Sequence, residues 1–268
     1  MSESAPDERN ARQREAWTAG DYALIGSRLV IVSELLCEAV DLRANHRVLD
    51  VATGHGNTAL AAARRGCDVT GIDFAPALLA QARRRAAAEH LRVQFRQGDA
   101  GKLPFPDETF DVVLSTFGVS FVSDQRKGAQ ELLRVCRGGG QVGLANWTPT
   151  GANAAENRIF ERYFPPAPGV PRSLWGTEEG LRDLLGERAA SLRVMPRNVI
   201  YRFRSVKAYV ETLQASFGPF MRQMESLDAD QRKTLMRDLA EALNDFNQSG
   251  DETLVLPFDY LEVVATKR

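Results

Sequence analysis

Lysine is scarce in this chain, which has only Lys102, Lys127, Lys207, Lys233 and Lys267. Lysine and arginine together number 34 against 35 aspartates and glutamates, for a formal charge of −1. That balance gives no support to a bulk attraction for nucleic acid or an anionic membrane. The cysteines Cys37, Cys67 and Cys136 are far apart, odd in number and form no C-x-x-C. They indicate neither a disulfide framework nor a zinc site. Three histidines, His46, His55 and His90, are too few for a hydrolase built on a metal-binding histidine cluster. No apolar run reaches the roughly 18 residues that span a bilayer. Residues 1–15 are polar and lack the apolar stretch of a signal peptide, so the cytoplasm is the expected location.

What is present is ordinary for a soluble globular protein: 268 residues, 44% hydrophobic and 26% charged. Such a chain can bury a sizeable core without disulfides or metals. Apolar residues at helical spacing over 21–42 predict an amphipathic helix, after a charged and solvated helical stretch over 7–17. From residue 46 the pattern alternates. Strands are expected over 47–52, 68–73, 92–97, 110–115 and 141–147. Helices are expected over 57–65, 75–89 and 124–137, the last with Gly138-Gly-Gly140 past its end. This rhythm gives a parallel sheet with helices on both faces. Further on come a proline-rich loop over 149–176, a capped helix over 177–185 and a strand over 191–203 interrupted at Pro196. A mostly helical stretch over 205–250 and strand-like residues over 253–266 complete the chain. It reads as one domain over 1–268. Within it lie an N-terminal helical extension (1–45), an α/β core (46–204), a helical insertion (205–250) and the last core strand (251–268).

Ligands of open parallel sheets sit beyond the carboxyl ends of the strands. The first such end is Asp50-Val-Ala-Thr-Gly-His-Gly56. Its glycines allow a close backbone approach, and the helix that follows presents its positive end to an anionic group. Gly54-His-Gly-Asn-Thr-Ala59 also fits G-x-G-x-x-A. The second end, Gly71-Ile-Asp73, places a carboxylate where a ribose diol can donate to it; the bland alternative is an Asp capping the next helix. At the third end, Asp99 can accept from an adenine amino group while the Ala100 amide donates to a ring nitrogen. The bland alternative there is an Asx-turn. The first two ends suit NAD and an adenosyl ligand alike, and the third favours the adenosyl ligand.

Five segments together resemble the successive motifs of class I S-adenosylmethionine-dependent methyltransferases. They are Val48-Leu-Asp-Val-Ala-Thr-Gly-His-Gly56, Gly71-Ile-Asp-Phe74, Gly98-Asp-Ala100, Leu103-Pro-Phe-Pro-Asp-Glu-Thr-Phe-Asp-Val-Val113 and Leu132-Leu-Arg-Val-Cys-Arg-Gly-Gly-Gly140. The resemblance runs over residues 46–147 and is nearest to the branch of ubiquinone- and menaquinone-biosynthesis methyltransferases. His55 departs from it, where the family often has Thr or Ser. The resemblance implies a Rossmann-like seven-stranded sheet with an antiparallel last strand over 256–266. It implies S-adenosyl-L-methionine as cofactor. Asp50, Thr53, Gly54 and Gly56 would lie along its methionine and ribose, and Asp73 would take the ribose hydroxyls. Phe74, Asp99 and Ala100 would meet the adenine, and Ser115-Thr116-Phe117 would pass the sulfonium. Trp17 and Tyr22 resemble the N-terminal aromatics that close over the methionine.

Methyl transfer is an in-line displacement on an activated carbon, so the protein mainly aligns its reactants. Trp17, Phe117 and Trp147 are expected to line an acceptor pocket for a planar or apolar small molecule. Phe121, Phe164 and Trp175 are expected to be core. His55, the one histidine at a strand end, is a candidate general base, although a residue in such a turn more often meets cofactor or solvent. No metal site is expected. Phe217, Phe220, Met221 and Met224 in the insertion read as a lid, a homodimer interface or internal packing. Two rival readings stand beside methyl transfer. One is an NAD(P)-dependent oxidoreductase, for which no Tyr-x-x-x-Lys pair is present. The other is a protein of this fold that binds the cofactor without methylating, as a cyclase, an isomerase or a binding module.

Overall fold

The computed structural model describes residues 15–165 and 172–268, so residues 7–14 of the expected charged helix lie outside the described residues. Seven strands form one sheet: β1 (Arg47–Val51), β2 (Asp68–Asp73), β3 (Val93–Gln97), β4 (Phe110–Thr116), β5 (Cys136–Trp147), β6 (Ala189–Phe203) and β7 (Leu254–Lys267). Their order is β3-β2-β1-β4-β5-β7-β6. β1 to β5 are mutually parallel, and β7 runs antiparallel to both of its neighbours. The fold is therefore the Rossmann-like α/β sheet expected from the motifs. The order steps outward from β1 to β3 in one direction and from β4 to β6 in the other, so the switch point lies between β1 and β4. A crevice opens at the carboxyl ends of such a pair.

The helices are α1 (Ala23–Gly26), α2 (Val30–Ala39), α3 (Asn57–Arg64), α4 (Pro76–Ala88), α5 (Gln125–Val135), α6 (Gly151–Tyr163), α7 (Glu178–Leu185), α8 (Val206–Ser216), α9 (Gly218–Met224) and α10 (Ala229–Asn244). Leu36, Leu60 and Leu79 of α2, α3 and α4 pack on one face of the sheet. Leu132 and Leu133 of α5, Leu181 of α7 and Trp175 pack on the other. Helices on both faces explain why the central strands read as continuous apolar runs. Leu213, Phe220, Leu235 and Leu239 of α8, α9 and α10 join a third cluster with Phe258 and Tyr260 of β7 and Phe117. Each such buried side chain stabilises by about 1.5–3 kcal/mol. The helical cap is thereby fused to the end of the sheet. Its starts are locally encoded: Ser205 accepts from the Ala208 amide at 3.1 Å, and Asp228 and Gln231 form a reciprocal capping box.

Four local expectations change. The loop expected over 149–176 holds a helix, α6 (Gly151–Tyr163). The helix over 21–42 is broken: α1 and α2 are joined by a 3-10 turn at Ser27–Leu29. Tightening there lets α1 lean over the strand ends while α2 stays packed on α3. The helix expected over 124–137 ends at Val135, and β5 begins at Cys136. Cys136 pairs with Phe110 and Gln141 with Val112, so residues 137–140, with their three glycines, form a bulge within the ladder. Pro196 does not interrupt β6, which runs through it in register with Leu261. β6 is the outermost strand, where a proline's missing N–H removes no ladder bond.

Candidate active site

A cleft opens at the switch point. Its floor is the end of β1 and the start of α3. Asp50 is 1% exposed. It accepts from the Thr53 hydroxyl and, at 2.9 Å, from the Ala59 amide, and so braces the turn into α3. Burial pushes the Asp50 carboxyl up to about 7, against those two hydrogen bonds. Ala52 and Phe117, at the ends of β1 and β4, both adopt positive φ, 54° and 63°. Non-glycine residues hold that conformation at a cost of roughly 1–3 kcal/mol each, and such strain gathers at functional sites. Gly118 makes it feasible, because a Cβ there would lie 2.4 Å from the Ala52 Cβ.

At the tip of β2, Asp73 is buried, and desolvation raises its pKa. One carboxylate oxygen accepts from the Gly54 amide and the other from the Ala75 amide, each at 2.8 Å. The Phe74 amide bonds the carboxylate as well, so of its roughly four acceptor positions about one is left for a ligand. Gly54, at φ 55°, has no atom within 4 Å of where a Cβ would sit. That open space belongs to the cleft. Phe74 and Leu78 wall the side beyond Asp73. On the α3 side, the Thr58 hydroxyl bonds those of Ser33 at 3.0 Å and Thr116 at 2.8 Å, forming a polar relay across the floor.

Aromatic rings close the mouth. Residues 15–18 are helical, and the Trp17 ring meets Tyr22, Phe121 and Phe217 edge-on, with centroids 5.5, 5.0 and 5.4 Å apart. Burial, and then the Asp73 charge, push the Tyr22 phenol up to about 12. His55 packs edge-on to Tyr22 at 5.6 Å, in the space left by the missing side chain of Gly26. Its imidazole is buried, and its Nε2 finds no partner among the described residues. Burial, and then the Arg85 charge, push its pKa down to about 4, so it is neutral at pH 7.

Of the residues singled out in the sequence, Trp17, Tyr22, Asp50, Thr53, Gly54, His55, Asp73, Phe74, Thr116 and Phe117 come together around this cleft. Gly56 stands behind the wall as the left-handed residue opening α3. Trp147 lies one layer back, stacked on Phe117 at 3.7 Å. Asp99 and Ala100 are outside the cleft walls; Asp99 accepts from the Gly101 amide at 2.7 Å in an Asx-type turn. Trp175 is core, as expected. Phe121 is not: it is 38% exposed and edges the mouth.

Residues 48–140 match the family model described as a methyltransferase domain. A demethylmenaquinone methyltransferase of Thermus thermophilus is 44% identical over 157 residues, covering 53% of this chain and 71% of that protein. The chain belongs to the class I S-adenosylmethionine-dependent methyltransferases. An uncharacterized protein of Mycobacterium tuberculosis is 33% identical over 267 residues, covering 96% of this chain and 95% of its own length. The YcgJ protein of Bacillus subtilis shares the fold, with a TM-score of 0.64 at 22% identity over 88% of this chain and 98% of its own. Within this methyltransferase, the family match stops before α6 and the cap, where the matched motifs give no guide. Sequence reasoning missed Ser33, Thr58 and Phe121 as site residues. Thr58 had one faint signal, a hydroxyl in an otherwise alanine-rich helix. No helix among the described residues is long and apolar enough to cross a membrane.

Proposed function

We propose that the cleft binds S-adenosyl-L-methionine and that the enzyme transfers its methyl group to a small aromatic acceptor. The observation that carries this reading is Asp73. Its buried carboxylate, held by backbone amides, stands at the tip of β2 beside the open space at Gly54. Two adjacent ribose hydroxyls match that arrangement. The residues present therefore fit the cofactor: Asp73 for the ribose, Thr53 and Gly54 for the methionyl end, Phe74 and Leu78 for the adenine face. When bound, S-adenosyl-L-methionine supplies a methyl group already activated on a positively charged sulfur.

The chain's own work is then orientation and exclusion of water. Holding two reactants in line can contribute about 7–11 kcal/mol. Trp17, Tyr22 and Phe121 seal the mouth, and a dry site favours dispersal of the sulfonium charge. Phe117, backed by Trp147, offers a flat apolar wall to a planar acceptor. We assign His55 to packing beneath Tyr22 and Gly26. A Cβ at Gly26 would lie 3.1 Å from its Nε2.

Thermal melting with S-adenosylmethionine, S-adenosylhomocysteine and NADH tests this reading. A ligand at 100 times its Kd stabilises by about 2.7 kcal/mol. The adenosyl ligands are expected to raise Tm, with the rise lost in Asp73→Ala and weakened in Asp73→Asn, while NADH has no effect. A shift with NADH alone would make the protein an oxidoreductase.

A further inference from the structure

Residues 15–26 lay Trp17 and Tyr22 across the mouth of the cleft, and this run of chain is seated on glycines at both ends. Toward the cap, a Cβ on Gly218 at the start of α9 would collide with the Ala16 and Ala19 carbonyl oxygens. Gly20, at φ 74°, is pressed as closely on the cap, where a Cβ would lie 2.9 Å from the Ser216 oxygen. Toward the sheet, a Cβ on Gly26 would collide with Cε1 of the His55 ring. The fastening to the core is polar. Asn57 donates to the Gly26 carbonyl at 2.8 Å, and Arg85 donates to the Asn57 amide oxygen and the His55 carbonyl, each at 2.8 Å. Gln81 donates to Asp21 at 3.3 Å.

The closed roof leaves buried polar atoms unanswered where it meets the core. His55 is 2% exposed, and among the described residues neither its Nε2 nor the Gln81 Oε1 has a partner. A buried polar atom without a hydrogen bond has lost its hydration for nothing in return. An imidazolium carries two N–H donors, and beneath the closed roof nothing receives one from Nε2. The ring therefore fits there only as the neutral imidazole. Burial is the first cause disfavouring a proton on it; Arg85 of α4 acts in the same direction, and Asp21 of the roof acts in the other. Tyr22, packed edge-on to the ring, stays a neutral phenol.

We propose that residues 15–26 are a proton-linked gate, which closes over the cleft only while His55 is uncharged and lifts when His55 takes up a proton. This rests on the reading of the cleft as an S-adenosyl-L-methionine site. The 3-10 turn at Ser27–Leu29, where α1 breaks from α2, is the pivot. Lifting about it frees the run from both glycine seats and returns His55 and Gln81 to water. The sign of the pH effect follows from the ring. With the roof closed, burial and then Arg85 push its pKa from 6.5 down to about 4. Closing therefore expels a proton wherever the open state holds one. Closure is unimpeded above about pH 6.5 and weakens by up to about tenfold for each pH unit below it, until about pH 4.

Two measurements on the full chain test this, one with ligand and one without. In calorimetric titrations with S-adenosylhomocysteine, wild type is expected to bind about tenfold more weakly at pH 5 than at pH 8. His55→Asn does not titrate there, and its affinity is expected to change by about threefold or less over the same range. Asp50 and Asp73 are present in both proteins, so the difference between the two profiles isolates His55. Without ligand, the emission of Trp17, taken as the difference between wild type and Trp17→Phe, is expected to move to the red from pH 8 to pH 5. In the His55→Asn background it is expected to stay in place. A wild-type affinity that does not fall toward pH 5, a His55→Asn profile as steep as wild type, or a Trp17 emission that does not move in wild type overturns the proposal. If S-adenosylhomocysteine binds at no pH, the cofactor reading fails by itself, and the Trp17 emission still decides whether the gate exists.

Discussion

Two glycines at the strand ends have opposite jobs. Gly118 is pressed against the Ala52 backbone, with a hypothetical Cβ 3.0 Å from the Ala52 oxygen, whereas Gly54 faces open space. Gly118→Ala is therefore expected to destabilise the fold by about 1–3 kcal/mol through forced displacement of β1 against β4. Gly54→Ala costs only the strain of a positive φ, about 1 kcal/mol, but fills the cleft and lowers S-adenosylhomocysteine affinity. Denaturant melts and calorimetry on both variants separate the two effects; equal stability losses would contradict the assignment. Gly54 and Asp73 were legible in the sequence because a glycine turn and an acid at successive strand tips have few other uses together. Phe121 was not. A phenylalanine is more often buried than not, and only the fold reveals that this one edges the cleft. His55 was legible as a position but not in its role. The ring's neighbour Gly26 is 29 residues away in sequence, and nothing local marks the space it leaves.

At the scale of elements, the motif-bearing strands were readable because hydrophobic period and turn chemistry agree there. The joint between α1 and α2 was not readable: its helical spacing continues through Ser27–Leu29, and tertiary packing sets the turn. The bulge of β5 escaped for a related reason, since three glycines past a helix read as its stop signal whether or not a strand has begun. α6 and α8 carry a pH dependence of their own. Burial pushes the Glu156 carboxyl from 4.5 up to about 7, against the Tyr209 hydrogen bond. Between these values the native state holds a proton that the unfolded chain releases. The stability gained this way is present below about pH 4.5, declines as pH rises and is gone above about 7. Glu156→Gln is spared that loss. It is expected to exceed wild type by about 1–3 kcal/mol at pH 8, with the difference vanishing toward pH 4.5. Urea melts across this range check it, and a Glu156→Gln less stable than wild type at pH 8 would contradict the uncompensated burial.

At the scale of the whole molecule, the cleft is assembled from distant parts of the chain. The first two motifs supply its floor, residues 15–22 supply its aromatic roof, and Phe217, between α8 and α9 of the cap, holds that roof through Trp17. The near-zero net charge gives no support to a bulk attraction for a polyanion. The measurement that bears most directly on the central claim is a crystal structure of the complex with S-adenosylhomocysteine. The account predicts the ligand in this cleft, both ribose hydroxyls on Asp73, and its methionyl end along Thr53 and Gly54. A complex that leaves Asp73 without a ribose contact, or that places the ligand elsewhere, would contradict it.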